Sequence, residues 1–189
     1  MSKHSNTSAV IDGLLNFVVL GGTLSLGIIA PNSIQALDKP LQKYFQAMDK
    51  RQRNRELQRL TTYMKRKNLL ENDYQHGLVL TKKGYDRARK SNINSLKIDT
   101  TIKWDHTWRI VLYDIPENHK NGRDTLTRKL RNLGFYQLQR SVWIHPFPCR
   151  REIEVLTAYC GIEKYVSYIE TTYIDKQEIL LKKFSLVGS

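Results

Sequence analysis

The sequence predicts an α+β protein with two domains, on the basis of three observations. Its 189 residues suffice for two small domains, each with a core of its own. A basic helical pattern followed by a short hairpin pattern occupies the first half. The second half shows patterns in the order strand, helix, strand, strand, helix, strand. We expect domains at residues 1–92 and 107–189, joined by a linker at residues 93–106.

The positive charge is concentrated in one part of the chain. Lys and Arg number 31 against 18 Asp and Glu, which gives a net charge of +13. Residues 38–104 contain 17 of the cations and 7 of the carboxylates, whereas residues 105–189 contain 13 and 10. A local excess of this kind indicates a surface that binds a polyanion. Double-stranded DNA is the first expected partner and an anionic membrane the second.

The cysteine content indicates a reducing compartment. Cys149 and Cys160 are the two cysteines, too few for a disulfide framework or a zinc cluster. We expect both to be free thiols in the core and the protein to be cytoplasmic. The hydrophobic content of 40% excludes a wholly disordered chain.

Residues 14–30 form an apolar run that ends at Pro31. Three interpretations remain open: a buried helix of the first domain, a membrane anchor and a cleaved signal peptide. The run is at the short limit for a membrane span, and its amino-terminal side has few cations. We favour the core helix.

Residues 54–67 are predicted to form an amphipathic helix with a basic polar face. Leu57, Leu60 and Met64 recur at spacings of three and four, as on a helix that packs against a core. The opposite face mixes Arg with amide and hydroxyl side chains, which form hydrogen bonds to base edges. A merely solvated face is the simpler alternative. The residues expected near base edges are Asn54, Arg55, Gln58, Arg59 and Thr62.

The segment after this helix is predicted to be a hairpin. Residues 72–77 are turn formers, residues 78–80 form a short strand, and Thr81 caps a further basic helical turn. The whole of residues 9–92 resembles the winged helix-turn-helix of many bacterial regulators. Gln75 and His76 would lie at the wing tip, against the minor groove or the backbone. The expected phosphate contacts are Arg51, Arg53, Lys65, Arg66 and Lys82.

The second domain is predicted to be ferredoxin-like, with βαββαβ order. A polar loop is expected at residues 117–122, and one more helix at residues 176–184. The predicted strands are residues 108–116, 135–138, 141–144 and 165–173, and the predicted helices are residues 123–133 and 150–160.

Two stretches of this domain carry a family resemblance. Trp108–Pro116 and Leu133–Trp143 resemble the central domain of the phenylacetate-catabolism repressors, PaaX, which is itself similar to the small CRISPR-associated adaptation endonuclease. The resemblance covers residues 104–175 and implies a winged-helix regulator that dimerises through its ferredoxin-like domain. Those repressors continue with a further carboxy-terminal domain. Their acyl-CoA effector is therefore not carried over, and the small-molecule effector stays unassigned.

Asp114 is the candidate catalytic and metal-binding residue. It follows the first strand of the second domain, where the resemblance to the endonuclease implies a divalent-metal site shared across a dimer. Oxygen ligands suit magnesium, the cofactor that a nuclease would need; otherwise no cofactor is expected. In the simpler interpretation, Asp114 hydrogen-bonds a turn or a helix N-terminus. His106, His119 and His145 are expected at the surface or in turns.

The favoured function is a homodimeric, PaaX-like transcriptional regulator, with repression as the expected mode. Two basic helices would enter successive major grooves, about 34 Å apart, and read an inverted repeat. The alternatives are a metal-dependent endonuclease or CRISPR-adaptation protein that uses Asp114, and a membrane-tethered DNA-binding protein.

Overall fold

The structure, a computed structural model, describes residues 3–20, 37, 39–74 and 77–186, with side chains from Thr7 onward. The chain divides into two compact units, residues 1–94 and residues 95–189. The first unit combines helices with a two-stranded antiparallel sheet, and the second combines helices with a four-stranded antiparallel sheet. The protein therefore belongs to the mixed α+β class.

The described part of the first unit has four helices and one hairpin. They are α1 (Lys3–Val19), α2 (Lys39–Gln46), α3 (Lys50–Arg66), β1 (Leu70–Asp73), β2 (Gly77–Leu80) and α4 (Lys82–Ser95). α4 continues into the segment predicted as a linker, because Ile93 is buried and holds its last turn in place.

The first half of the predicted apolar run belongs to α1 and to the core. Leu14 and Leu15 are fully buried in a cluster that also contains Phe45, Leu60 and Met64. Residues 21–30 of the run lie outside the described residues. Within the described ranges, no helix combines the length and apolarity needed to span a membrane.

α3 begins at Lys50, four residues before the predicted start, because Asp49 caps it. The Asp49 carboxylate accepts a hydrogen bond from Gln52 N–H at 2.8 Å, and the Gln52 side chain accepts one from Asp49 N–H at 3.0 Å. This reciprocal pair is a capping box. The predicted apolar stripe is confirmed, since Leu57, Leu60 and Met64 are buried.

The predicted hairpin is present and is anchored by Thr81. β1 and β2 pair antiparallel, with Leu70 opposite Leu80. The Thr81 hydroxyl donates to Asn68 O at 2.7 Å and accepts from Gly84 N–H at 3.0 Å, so it caps α4 as expected. A Cβ on Gly84 would lie 2.1 Å from Leu69 O, so this close approach of backbones requires glycine.

The elements of the second unit follow the predicted order, and the sheet has strand order β4-β5-β3-β6. A 3₁₀ turn at Glu117–His119 precedes α5. The elements are β3 (Trp108–Tyr113), α5 (Lys120–Asn132), β4 (Tyr136–Gln139), β5 (Val142–His145), α6 (Arg150–Cys160), β6 (Val166–Thr171) and α7 (Gln177–Lys183).

The polar loop predicted at residues 117–122 is wrong. The chain is already helical there, and Gly122, a residue that usually interrupts helices, lies inside α5. A Cβ on Gly122 would lie 2.9 Å from Ile162 Cγ2 and 3.1 Å from Cys160 O. Glycine is therefore required for packing at this point and does not mark a loop.

Helices contact both faces of the sheet. On one face, the Tyr113 hydroxyl lies 3.0 Å from the Thr127 hydroxyl of α5. On the other face, Trp108 and Ile144 pack with Leu180 of α7. Because both faces are covered, β5 loses the simple alternation of buried and exposed residues and is buried from Trp143 to His145.

Arg109 fixes the segment that leads into β3. Its guanidinium donates to the Asp105 carboxylate at 2.6 Å, to Thr107 O at 2.7 Å and to Pro146 O at 2.7 Å. The hydrogen bond from Arg109 is the main cause of the lowered pKa of the Asp105 carboxyl group. The end of the predicted linker is therefore held against the sheet.

Two predictions about single side chains have opposite outcomes. His145 is only 3% exposed, so the surface or turn position expected for it is wrong. The two cysteines are free, as expected, with Cys149 buried and Cys160 half-buried. Burial raises the pKa of the Cys149 thiol to about 12 and that of Cys160 to about 11.

Candidate nucleic-acid interface

α3 presents a continuous cationic face to solvent. Since Leu57, Leu60 and Met64 point into the core, residues half a turn away point outward. Glu56 is the one carboxylate of the helix. The predicted contact residues on this outward face are all exposed: Arg51, Arg55, Gln58, Arg59, Thr62 and Arg66.

The other predicted residues of α3 lie away from the centre of this face. Arg53, Asn54 and Lys65 are half-buried. Arg53 precedes Leu57 and Leu60 by four and seven residues, which places it on the core side of the helix. It is therefore separated from the outward face on which Arg55 and Arg66 lie.

Arg59 is held by a three-residue network that the sequence analysis did not predict. Its guanidinium donates to both carboxylate oxygens of Glu56, at 2.8 and 2.7 Å, and the Tyr44 hydroxyl of α2 donates to the same carboxylate at 2.7 Å. The hydrogen bond from Arg59 is the main cause of the lowered pKa of Glu56. The i,i+3 spacing of Glu56 and Arg59 in the sequence indicates this ion pair, whereas no feature of the sequence indicates the contact with Tyr44 of α2.

The hairpin is tied to α3 close to the cationic face. Lys65 Nζ donates to the Asn72 side-chain oxygen of β1 at 2.8 Å. Tyr74, which ends the described part of the hairpin on that side, is fully exposed. Gln75 and His76, the predicted tip contacts, lie outside the described residues. Lys82 is exposed in the first turn of α4.

Asp114 lies in a polar cavity of about 400 Å³ at the end of β3. Asp124 and two cations, Arg123 and Arg140, also line this cavity. The Asp114 N–H donates to Tyr165 O at 3.1 Å, and the side chain is exposed. Across the part of the chain that is described, no hydrogen bond to the Asp114 carboxylate is found, although the backbone N–H of Asp114 does bond the turn at Glu163–Tyr165.

The described residues around Asp114 do not form a metal site by themselves. Among the described residues, no group of three or more His, Cys, Asp or Glu side chains could hold a metal ion. Asp114 and Asp124 share their cavity with two arginines, which oppose the binding of a cation. A divalent metal at Asp114 would therefore need ligands from a second copy of the chain.

The fold and its exposed residues define the class of this protein. It is an α+β protein in which a unit with an exposed cationic helix precedes, along the chain, a unit with a four-stranded antiparallel sheet. Residues 101–180 match the family model of the PaaX protein central Cas2-like domain. Residues 101–180 therefore form a PaaX-like domain, as the resemblance of this segment indicated. A search of curated proteins found no matching relative.

Proposed function

We propose that this protein is a PaaX-type transcriptional regulator that binds double-stranded DNA as a homodimer and represses transcription in the cytoplasm. In this proposal the first unit is a winged helix-turn-helix. α2 and α3 form the helix pair, and the β1–β2 hairpin is the wing. The single observation that carries the proposal is the exposed cationic face of α3 in a chain whose second unit is PaaX-like.

The composition of the α3 face favours DNA over a simply solvated surface. Arg51 and Arg66 supply charge for phosphates, while Arg55, Gln58, Arg59 and Thr62 supply hydrogen-bonding groups between them. Arg pairs with guanine and Gln with adenine in the major groove, so the face carries groups for both purines. In this proposal α3 enters the major groove, and Lys82 at the start of α4 contacts the backbone.

The second unit is the proposed dimerisation domain. Its strand order and connections agree with a ferredoxin-like βαββαβ fold. Ile169 of β6 and Ile179 of α7 are large apolar side chains that are exposed. In this proposal the association of two copies covers these side chains. A symmetric dimer would present two α3 helices to an inverted repeat, with half-sites about 34 Å apart.

Binding to end-labelled duplex DNA across a salt series tests the proposal, with the reaction run in magnesium and in EDTA. The regulator predicts intact DNA and an affinity that falls steeply with salt. The slope of log Kobs against log salt is about −0.9 per phosphate contact, so it counts those contacts. No binding at low salt would overturn the proposal.

A magnesium-dependent endonuclease is the second candidate. The exposed Asp114 carboxylate, which accepts no hydrogen bond within the described ranges, favours it, together with the Cas2-like family match. Two copies of Asp114 would hold the ion, and the metal would supply an activated water.

The same DNA samples separate the two candidates on a denaturing gel. A nuclease gives shortened DNA in magnesium, and this product disappears in Asp114→Asn but persists in the matched control Asp99→Asn. Asp99 is an exposed carboxylate outside the cavity. DNA that stays intact in magnesium rejects the endonuclease.

A further inference from the structure

β6 is an edge strand of the second unit, and one side of its backbone is unpaired. The strand order β4-β5-β3-β6 places it at one end of the sheet, and its six residues pair with β3 in one continuous register. Among the described residues, no backbone group hydrogen-bonds β6 from its outer side. An edge of this kind is a template for a further strand.

The two edges of the sheet differ in how well they could accept such a strand. β4, the opposite edge, has four residues and a bulge between Gln137 and Gln139, which interrupts its register. The register of β6 is uninterrupted, and its sequence contains neither Pro nor Lys, the residues that commonly block an edge. β6 is therefore the edge that is open to pairing.

The side chains of β6 alternate between the two helical layers of the unit. Ile169 lies opposite Ile110, which packs against the cluster around Leu180 of α7. Tyr168 points the other way and lines a groove of about 280 Å³ beside α6. Glu170 lies two residues from Tyr168, on this second face. On the first face Ile169 remains 46% exposed, so an apolar side chain at the middle of the edge is uncovered.

The α6 side of this edge carries both signs of charge. The Arg150 guanidinium lies over the Tyr168 ring, 4.4 Å from its centroid. Arg150 and Glu170 are both exposed, and within the described ranges neither forms a salt bridge. Because the chain has a net charge of +13, two copies repel each other in general. An edge with a cation and a carboxylate that are both unpaired is suited to binding its own copy.

Pairing of two β6 strands about a two-fold axis restricts which residues can meet. Directly opposite residues of antiparallel strands lie on the same face, so an axis between Tyr168 and Ile169, which point to opposite faces, is excluded. An axis at Tyr168 would bring the two Arg150 guanidinium groups together, which is repulsive. An axis at Ile169 places Ile169 opposite its own copy and Glu170 opposite the partner's Tyr168, the ring that Arg150 covers.

We propose that two copies of the second unit join through β6, paired antiparallel about a two-fold axis at Ile169, with Glu170 of each copy bound to Arg150 of the other. This pairing joins two four-stranded sheets into one continuous sheet and covers Ile169. Opposite Cβ atoms in such a pair lie about 5 Å apart, so the Glu170 carboxylate reaches the guanidinium over the facing ring. The inference rests on the homodimer of the proposed function and assigns the surface that forms it.

Cysteine cross-linking of the full chain tests the register. Ile169→Cys places two thiols opposite each other at the axis, within the range of a disulfide, whereas Ser167→Cys places them about 14 Å apart along the strands. Mild oxidation with copper phenanthroline should convert most of the Ile169→Cys chain to a covalent dimer on a non-reducing gel, and little of Ser167→Cys or of the wild type. Equal yields for the two variants, or a higher yield for Ser167→Cys, would overturn the proposal.

Exchange of charges tests the ion pair independently. Glu170→Arg or Arg150→Glu alone should weaken the dimer at least about tenfold, because like charges then face each other, and the double variant should recover the lost affinity. Sedimentation equilibrium measures the dissociation constant of the dimer. The control is Glu71→Arg, which makes the same change of charge at an exposed position of the first unit and should have little effect. A double variant that is no tighter than either single variant would overturn the proposal.

The same measurements separate this inference from the proposed function. A wild-type chain that stays monomeric would overturn the homodimer together with the β6 pairing. A dimer that neither cross-links through Ile169→Cys nor responds to the charge exchange would overturn the β6 pairing alone.

Discussion

The Glu56 carboxylate holds the Arg59 guanidinium through two hydrogen bonds on the exposed face of α3. The same carboxylate accepts a hydrogen bond from the Tyr44 hydroxyl of α2. Arg59 is therefore oriented by its own helix before DNA arrives, and it must exchange a carboxylate for a phosphate or a base in order to bind. This exchange reduces the net gain from Arg59 relative to Arg55, since no carboxylate is paired with Arg55 among the described residues.

Glu56→Gln should strengthen DNA binding. The amide oxygen can still accept from Tyr44, which preserves the contact between α2 and α3, but Arg59 is released. We expect tighter binding of a selected duplex, because Arg59 no longer has to leave a carboxylate in order to reach a base edge. The control is Asp86→Asn, which removes an exposed carboxylate from α4 with the same change of charge. Equal effects of the two variants would show that the gain is only net charge.

Arg55→Ala should relax sequence specificity, whereas Lys65→Ala should not. Arg55 is exposed at the centre of the α3 face, where base edges are expected, and its loss should cost about 1–3 kcal/mol on a selected site and less on random duplex. Lys65 bonds Asn72 at the margin and should weaken all duplexes alike. Dissociation constants on a site selected from a random library and on a scrambled duplex provide the comparison. If Arg55→Ala lost the same affinity on both duplexes, its assigned role would be wrong.

Gly84→Ala should destabilise the first unit even though alanine favours helices. The added Cβ would lie 2.1 Å from Leu69 O, a backbone atom that cannot rotate away, and we expect a loss of about 3 kcal/mol. Ser91→Ala, in the same helix, is the control and should be neutral or slightly stabilising. Urea unfolding followed by circular dichroism measures both. A stabilised Gly84→Ala would show that α4 and Leu69 are farther apart than described.

The free energy of unfolding should decrease as the pH is lowered, because of His145. Its pKa of about 4 in the folded protein lies below the ordinary value of 6.5, so the unfolded chain binds the proton first as the pH falls. The loss begins near pH 6.5 and reaches about 3 kcal/mol by pH 4. His145→Asn, whose side-chain oxygen can still accept from Phe147 N–H, should remove this component, while the exposed His106→Asn should not. Parallel curves for wild type and His145→Asn between pH 7.5 and 4 would contradict the burial of a neutral imidazole.

Much of the fold could be predicted from the sequence, because residues close to the ends of its helices and strands determine where those elements begin and end. α6 was predicted with the same bounds that it has, since Pro148 precedes it and Gly161 adopts the left-handed conformation that ends it. The apolar stripe of α3 was equally clear. The start of α3 was missed, although Asp49 and Gln52 have the capping-box spacing.

The predictions from sequence are wrong where residues that are distant along the chain determine the local structure. Gly122 suggests a loop until the approach of Cys160 O is known, and His145 suggests a surface residue until both faces of β5 are seen to be covered. The candidate interface could be predicted as a helix face from periodicity alone. The Tyr44 contact to Glu56 and the half-burial of Asn54 depend on tertiary packing that no spacing encodes.

The salt dependence of DNA binding in two matched triple variants tests the central claim most directly. Arg51, Arg66 and Lys82, exposed predicted phosphate contacts in the first unit, are changed to Gln; in the control, Arg128, Arg151 and Lys182, exposed in the second unit, are changed likewise. Both variants lose the same charge. The account predicts a slope shallower by about 2.7 for the first and little change for the control. Equal slopes, or a larger effect of the control, would contradict DNA binding through the first unit.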